Sequence, residues 1–507
     1  MDEPKNIREL LERRARATPG KHFLFSEADG RAYTYAEFDA AASRAALMLA
    51  ARGIKKGDAV SLLMPNGAEY VVAYFACFKL GALAGPVNSL LKSEEISYVV
   101  NNSEARALLV HPEFLPRIES IRNDLPGLKH VIAFDDEARA TRLFADKTLP
   151  EVPIATDDEA IIIYTSGTTG KPKGCLLTHG NLVANARQIT DWLNFTERDR
   201  LLTVMPLFHM NAVSVTTMTP LYAGASSVVS PRFSASRFWR IISDYEVTSF
   251  GSVATMLSML LATYPEGVPS GLKTDQLRFA MCGSAPVPAE VLRKFEETFN
   301  CLVIEGYGLS ESTCRSTFNP PDERRRPGSC GMAIGNEMRV VDEEDREVAD
   351  GELGEIVLRG PNILKGYYKN PEATARAFRD GWFHTGDVGY RDADGFFYIV
   401  DRKSDMIIRG GENIYPREID EVLYRHPSVA SAAVIGVPDM LYGEEVAAFV
   451  VLKEGAGATA EEIVDFCREH LADYKCPKTV RFVADIPKGP TGKLLKRELA
   501  RLFAAGQ

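Results

Sequence analysis

The sequence predicts an α/β protein with largely parallel sheets, followed by a small β region and a separate α+β unit. Three observations carry that prediction. Short apolar runs alternate with amphipathic helical stretches through most of the chain, the pattern of strands joined by crossover helices. Short β segments then cluster between Gly351 and Val400. After Arg402 roughly a hundred residues form a compact alternation long enough to fold alone.

The elements follow in order. Residues 59–64 read as a buried strand that Pro65-Asn66 breaks, and Asn66 with Glu69 three later resembles a capping box for a helix through Lys79. Ser93 is placed to cap a helix to about Asn102, and residues 107–110 repeat the strand pattern. Residues 160–164 and 175–178 are strands on either side of a glycine-rich loop. Residues 351–359 and 395–400 belong to the smaller sheet. Beyond it come a helix opened by Pro416 and ending at His426, strands 430–437 and 446–452, a helix 460–471, a strand 480–483 and a basic helix from Leu494. The boundary is expected at 401, giving domains 1–401 and 402–507. The connection from Asp401 to Asp405 is short and charged, suited to a hinge.

Composition excludes several functions. With 45% hydrophobic and 25% charged residues the chain can bury a large core. Its 59 Lys and Arg against 69 Asp and Glu give a net charge of −10, which argues against nucleic acid or an anionic membrane as main partner. The opening MDEPKNIREL lacks the apolar core of a secretion signal, and the apolar run from Tyr70 to Leu83 is interrupted by Lys79 and too short for a bilayer. A cytoplasmic location is expected. The eight cysteines include no C-x-x-C pair and the eight histidines no cluster, so reduced buried thiols and no structural transition metal are expected.

The chemistry concentrates in Tyr164-Thr-Ser-Gly-Thr-Thr-Gly-Lys-Pro-Lys-Gly174. Glycines let the backbone approach an anion, the hydroxyls of Thr165, Ser166, Thr168 and Thr169 donate hydrogen bonds, and Lys171 and Lys173 bring charge. That suits a polyphosphate. Pro172 and a following strand separate it from the Walker A loop of switch ATPases and kinases. A flexible surface loop has similar composition, but rarely this order of residues.

This run, with Gly167 and Gly170, resembles the phosphate loop of the adenylate-forming superfamily of acyl- and aryl-CoA synthetases, peptide-synthetase adenylation domains and beetle luciferases. Further motifs of that superfamily follow in order: Pro206-Leu-Phe-His209, Gly283-Ser-Ala-Pro286, Glu305-Gly-Tyr-Gly-Leu-Ser-Glu311, His384-Thr-Gly-Asp387, Asp401-Arg-Lys-Ser-Asp405, Arg409-Gly-Gly-Glu-Asn413 and Pro490-Thr-Gly-Lys493. The resemblance implies a large N-terminal domain of stacked α/β subdomains plus a small β subdomain, with a mobile smaller C-terminal domain. It also implies ATP, Mg²⁺ and coenzyme A. The reaction would be acyl-AMP formation from a carboxylate and ATP with loss of pyrophosphate, then transfer of the acyl group to a thiol with loss of AMP.

Residue roles are implied motif by motif. Ser310, where the family more often has Thr, would bond the α-phosphate, and Glu311 would hold Mg²⁺. Gly283, Ser284, Ala285, Pro286, Glu305, Gly306 and Tyr307 would wall the adenine, with Tyr307 as stacking face. Asp387 would accept the ribose hydroxyls and Arg402 would contact ribose or phosphate. Alone in its apolar run His209 reads as a core histidine; the resemblance makes it a gate to the acyl pocket instead of a general base. Lys493 would bridge the substrate carboxylate and the α-phosphate during adenylation. Gly410 and Gly411 would admit pantetheine in the second step. The hinge falls on Lys403 or Ser404, the family position usually carrying Asp or Lys.

The acyl pocket is expected from Met210, Asn211, Ser252, Gly308, Leu309 and Thr313. Acetate-specific relatives carry tryptophan where this chain has Gly308, so the acid is expected to be larger than acetate: medium-chain fatty, aromatic or carnitine-like. Thr203-Val-Met-Pro206 and Ser234-Ala-Ser-Arg-Phe-Trp239 look like the carnitine/crotonobetaine–CoA ligase branch. The competing readings are an adenylation enzyme that loads a carrier protein, a luciferase-like oxygenase, and a non-catalytic nucleotide-binding regulator. The partners expected are a small carboxylic acid, ATP and CoA, with a homodimer admitted and no membrane span or nucleic acid.

Overall fold

A computed structural model describes residues 3–144, 147–165, 171–283, 287–489 and 494–506. Two seven-stranded sheets form the N-terminal body. The first runs in the order Leu302–Glu305, Phe279–Cys282, Ser249–Ser252, Arg200–Thr203, Ser226–Val229, His22–Ser26 and Ala32–Thr34, parallel except for the last pair. The second runs Gly366–Tyr367, Lys173–Thr178, Glu159–Thr165, Leu83–Pro86, Ala59–Leu63, Ala107–Val110 and His130–Ala133, with antiparallel pairing confined to its first three strands.

The helix Ala68–Leu80 packs against strands of both sheets, and every one of its residues is buried. This explains the apolar run in the sequence: a helix buried all round has no polar face to display. Its Lys79 is neutralised by Asp39 at 2.5 Å and Glu12 at 3.1 Å. Among the described residues no helix is long and apolar enough to cross a membrane.

Two capping expectations change. The helix starts one residue later than a cap at Asn66 requires, behind Gly67, which makes no side-chain cap bond. Asn66 instead donates to the Met205 and Ser230 carbonyls and accepts from Leu207 N–H, while Glu69 pairs with Arg31 at 2.6 Å. Long-range hydrogen bonds in a buried setting outcompeted the local motif. Ser93 is the first residue of the helix Ser93–Asn102, behind Lys92, and it is Glu95 that accepts the Lys92 N–H at 2.8 Å.

The third sheet is antiparallel: Glu337–Val341, Gly354–Arg359, Trp382–Arg391 and Phe378–Arg379, with Phe397–Arg402 also paired to Trp382–Arg391. One large core runs from Ile7 to Phe397. The C-terminal unit has its own sheet, built on the hairpin Val429–Asp439 and Gly443–Leu452, with separate apolar cores on its two faces between Ile407 and Phe503. Pro416–Arg425 and Ala460–His470 cover one face, and Lys496–Ala504 the other. Asp401 meets this unit at a helix N-terminus, where its carboxylate accepts Arg417 N–H at 3.0 Å. All eight cysteines are free, seven of them buried.

Candidate active site

In an open parallel sheet the carboxyl ends of the strands face a crevice that side chains from several loops can share. Register here puts Ser252, Cys282 and Glu305 in one row at that edge. Gly283 follows Cys282; Ser284, Ala285 and Pro286 lie outside the described residues. Ser252 donates to the Met281 carbonyl at 3.1 Å. Glu305 is buried, accepts Gly328 N–H at 2.9 Å, and burial pushes its carboxyl up to about 7. At Gly306 a Cβ would stand 2.5 Å from the Phe318 ring, so only glycine fits.

The third sheet brings the next group. Asp387 and Arg402 are directly opposite on paired antiparallel strands, and the guanidinium Nε lies 3.1 Å from the Asp387 carboxylate. Tyr307 donates its hydroxyl to the other Asp387 oxygen at 2.5 Å. Burial, with the Asp387 charge beside it, pushes the phenol well above its ordinary range. Tyr307, Asp387 and Arg402, read from three separate motifs, therefore meet as one cluster.

The second sheet supplies the anion side. Thr165 and Lys173 face each other across an antiparallel pair, and Ser166 to Gly170 between them lie outside the described residues. The ammonium of Lys171 sits 5.4 Å from the Tyr98 ring centre and that of Lys173 5.1 Å from Tyr367. Tyr367 in turn donates to Glu311 at 3.1 Å, and Leu364 N–H bonds the Glu311 carbonyl at 2.8 Å. Lys173 and Glu311 thus share one aromatic neighbour. Glu311 offers the hard carboxylate oxygens that Mg²⁺ prefers, so the residue present fits that ion.

Ser310 opens a short turn, Ser310–Ser312, and Leu309 N–H bonds Ser312 Oγ at 3.0 Å. Thr313 then adopts φ 65° and ψ −53°, with Cys314 N–H bonded to the Ser312 carbonyl at 2.7 Å. This is a γ-turn, a strained shape for a β-branched residue. The Thr313 hydroxyl ties it to the Asn362 carbonyl at 2.7 Å.

The acyl side departs most from expectation. Gly308 does not leave open room: a Cβ there would fall 1.9 Å from the Cys314 carbonyl oxygen, so the glycine answers a close backbone contact. From Asn211 to Met218 the backbone is π-helical, a rare form that often marks functional sites. Met210 and Asn211 are buried, and both polar atoms of the Asn211 side chain lack partners among the described residues. The His209 ring lies 4.7 Å from that of Phe208, tilted at 55°; its Nε2 is buried without a partner among the described residues, and desolvation lowers its pKa to about 4. It is a neutral ring at pH 7.

Gly410 and Gly411, at φ 60° and 92°, form the turn between Ile407–Arg409 and Glu412–Ile414, where Gly410 N–H bonds the Tyr442 carbonyl at 2.8 Å. Those positive angles are what glycine supplies. Lys493 lies outside the described residues. Sequence reasoning passed over Tyr98, Tyr367 and Glu355. The last holds Lys403 Nζ at 2.9 Å and Gly386 N–H at 3.0 Å. It also missed Arg315, a buried cation four residues past Glu311.

The chain matches the family described as AMP-binding enzyme over residues 11–368, and the AMP-binding enzyme C-terminal domain over 418–493. It is 39% identical to a sulfoacetate–CoA ligase of Cupriavidus necator, over 97% of this chain and 96% of that one. It is 37% identical to the long-chain-fatty-acid–CoA ligase FadD13 of Mycobacterium tuberculosis, over 99% of each. Among solved structures, o-succinylbenzoate CoA synthetase of Bacillus subtilis with ATP and magnesium superposes with a TM-score of 0.85 at 33% identity, covering 97% of this chain and 98% of that one.

Proposed function

The chain belongs to the family of AMP-binding enzymes, and from that premise we propose that it is an ATP-dependent acid–CoA ligase working in two half-reactions. A carboxylate oxygen of the acid attacks the α-phosphorus of ATP and pyrophosphate leaves. The sulfur of CoA then attacks the acyl carbonyl of the mixed anhydride and AMP leaves. The observation that carries this reading is the convergence of the Tyr307–Asp387–Arg402 cluster with the Lys173–Tyr367–Glu311 group, one suited to a ribose and the other to a polyphosphate.

Each residue has a stated task. Asp387, its oxygens oriented by Tyr307 and Arg402, accepts the ribose hydroxyls. Gly283 to Pro286 and Glu305 to Tyr307 flank the adenine. Thr165 to Gly170, with Lys171, Lys173 and Ser310, hold the phosphates. Glu311 holds Mg²⁺, which when bound neutralises phosphate charge. Lys493 brings the carboxylate and the α-phosphate together, offsetting their repulsion. His209, neutral at pH 7, gates the acyl pocket lined by Met210, Asn211, Ser252, Leu309 and Thr313. In the second step Gly410 and Gly411 admit the pantetheine arm.

The division at 401, with 402–507 as the mobile domain, is supported by the separate C-terminal cores. Ser404 is the pivot: Lys403 is tied to the third sheet through Gly386 and Glu355, whereas the Ser404 hydroxyl bonds its neighbour Asp405. The chain works in the cytoplasm, and a homodimer is the assembly to test by light scattering. The test of the function is pyrophosphate release over fatty, aromatic, betaine and second-anion acids, each with and without CoA. Sustained CoA-dependent turnover with AMP formation is expected. A CoA-independent single burst would favour the carrier-loading reading, and ADP formation would overturn both.

A further inference from the structure

The buried Lys and Arg among the described residues are Lys79 and Arg315, and Lys79 is answered by the carboxylates of Asp39 and Glu12. Arg315 is not. It is 1% exposed, and its Nε and Nη2 are buried without a hydrogen-bond partner among the described residues. The only partner of its charge is the face of Phe318, 5.3 Å away, among the described residues. A guanidinium stripped of water and left unpaired is costly, and the usual remedy is an anion with matching oxygens.

The backbone holds this group in place. The γ-turn at Thr313 directs the chain inward, and Asn185 then clamps Arg315 from both sides, accepting its N–H at 3.3 Å and donating to its carbonyl at 2.7 Å. Asn362 adds a second bond to that carbonyl at 3.3 Å. The guanidinium lies over Gly283, where a Cβ would fall 2.4 Å from Nη1. It therefore sits at the carboxyl edge of the first sheet, in the same crevice as the expected acyl site. On the adjoining strand, Gly251 makes room for Asn211, whose Oδ1 lies 3.1 Å from where a Cβ would stand. Asn211 is a side chain here with both polar atoms unanswered among the described residues, and Asn185 links the two regions by also accepting the Ser214 hydroxyl at 2.9 Å. A cation and an amide, both buried and both with polar atoms unanswered among the described residues, thus lie over neighbouring strands of the first sheet.

We propose that Arg315 binds a second oxyanion carried by the acid substrate, with Asn211 donating beside it. The substrate is then a short acid bearing a carboxylate or sulfonate at its far end, in place of a plain fatty or aromatic acid. This rests on the acid–CoA ligase reading and narrows it. Arg315 is a specificity-determining residue: the reacting carboxylate is at the other end of the acid, and the pairing removes the unanswered charge only when the second anion is present. A site built for a polar group discriminates strongly against analogues that lack it.

The test measures pyrophosphate release by full-length wild type, Arg315→Gln and Arg315→Lys. Sulfoacetate, malonate and succinate are compared with propionate, butyrate, octanoate and benzoate. Wild type is expected to favour a second-anion acid by about 100-fold in kcat/KM over its matched monoanion. The sulfonate and carboxylate arms tell which oxyanion is preferred. Arg315→Gln should lose about 100-fold on that acid alone, with KM for ATP unchanged, and Arg315→Lys should keep part of the preference. Wild-type preference for plain acids, equal losses on every acid, or a raised KM for ATP instead would each overturn the proposal. Melting curves check that the variants fold; if Arg315→Gln does not, the wild-type ranking and Arg315→Lys decide. If no acid releases pyrophosphate, the ligase reading fails separately. The subsite then stands only if malonate or sulfoacetate, and not propionate, raises the wild-type Tm and the rise is smaller in Arg315→Lys.

Discussion

The N-terminal body and the C-terminal unit solve different problems. The body spreads one continuous core across two large sheets and collects its polar residues at strand ends and in buried turns. The C-terminal unit has small cores of its own and meets the body through polar contacts at Asp401: Arg417 bonds the Asp401 carboxylate and the Ile399 carbonyl. A nucleotide site needs fixed geometry, which a large core provides. Groups that must act at different steps need a part that is stable by itself and held by few bonds.

The strongest way to break this comparison is Lys493→Ala. Acyl-AMP formation is expected to fall by about 100- to 1,000-fold, while thioester formation from supplied acyl-AMP is retained. Equal losses in both half-reactions would mean that the two regions do not divide the work. Glu311→Gln, in the body, should raise the Mg²⁺ concentration for half-maximal adenylation by about 10-fold or more, because the hard anionic oxygen is lost. An unchanged metal titration would remove Glu311 from that role. Gly411→Ala should slow only the thioester step, by about 10-fold, since φ 92° strains any side chain there. Single-turnover measurements separate the steps, and a matching loss in adenylation would contradict it.

The smallest effect sharpens the contrast through pH. Asp420 is buried in the C-terminal unit, and desolvation pushes its carboxyl up to about 7, with Lys496 opposing and Asp401 reinforcing the shift. Between 3.8 and about 7 the folded chain holds a proton that the unfolded chain has released, so this group's contribution falls as pH rises. In the body, His179 and His209 are held neutral down to about 4 by burial, so between there and 6.5 their contribution rises with pH; Glu305 shares the sign of Asp420. Asp420→Asn should add about 1 to 2 kcal/mol at pH 8 and little at pH 4. Chemical denaturation at both values checks it, and a gain at pH 4 alone would reverse the assignment.

The sheets and the C-terminal alternation were legible because apolar period and turn residues act locally. Asp387, Tyr307 and Arg402 were legible as motif members, and their meeting as a cluster was not, since it depends on the Asp387↔Arg402 register. Asn66 shows the opposite failure: its local pattern is that of a cap, but three bonds to residues far along the chain decide its place. Gly308 misled for a related reason, because absence of a side chain does not say whether open space or backbone stands opposite. Arg315 was invisible because nothing in its neighbours announces the γ-turn that sends it inward.

Arg402, the last residue of the third sheet's final strand, is followed directly by Lys403 and Ser404. With the pivot proposed at Ser404, the load and the fulcrum are adjacent along the chain, and whatever pulls on the Asp387–Arg402 rung pulls on that joint. A pair of fluorophores, one on the third sheet and one on the C-terminal hairpin, would turn this adjacency into an optical gauge of whether the proposed ribose seat is filled.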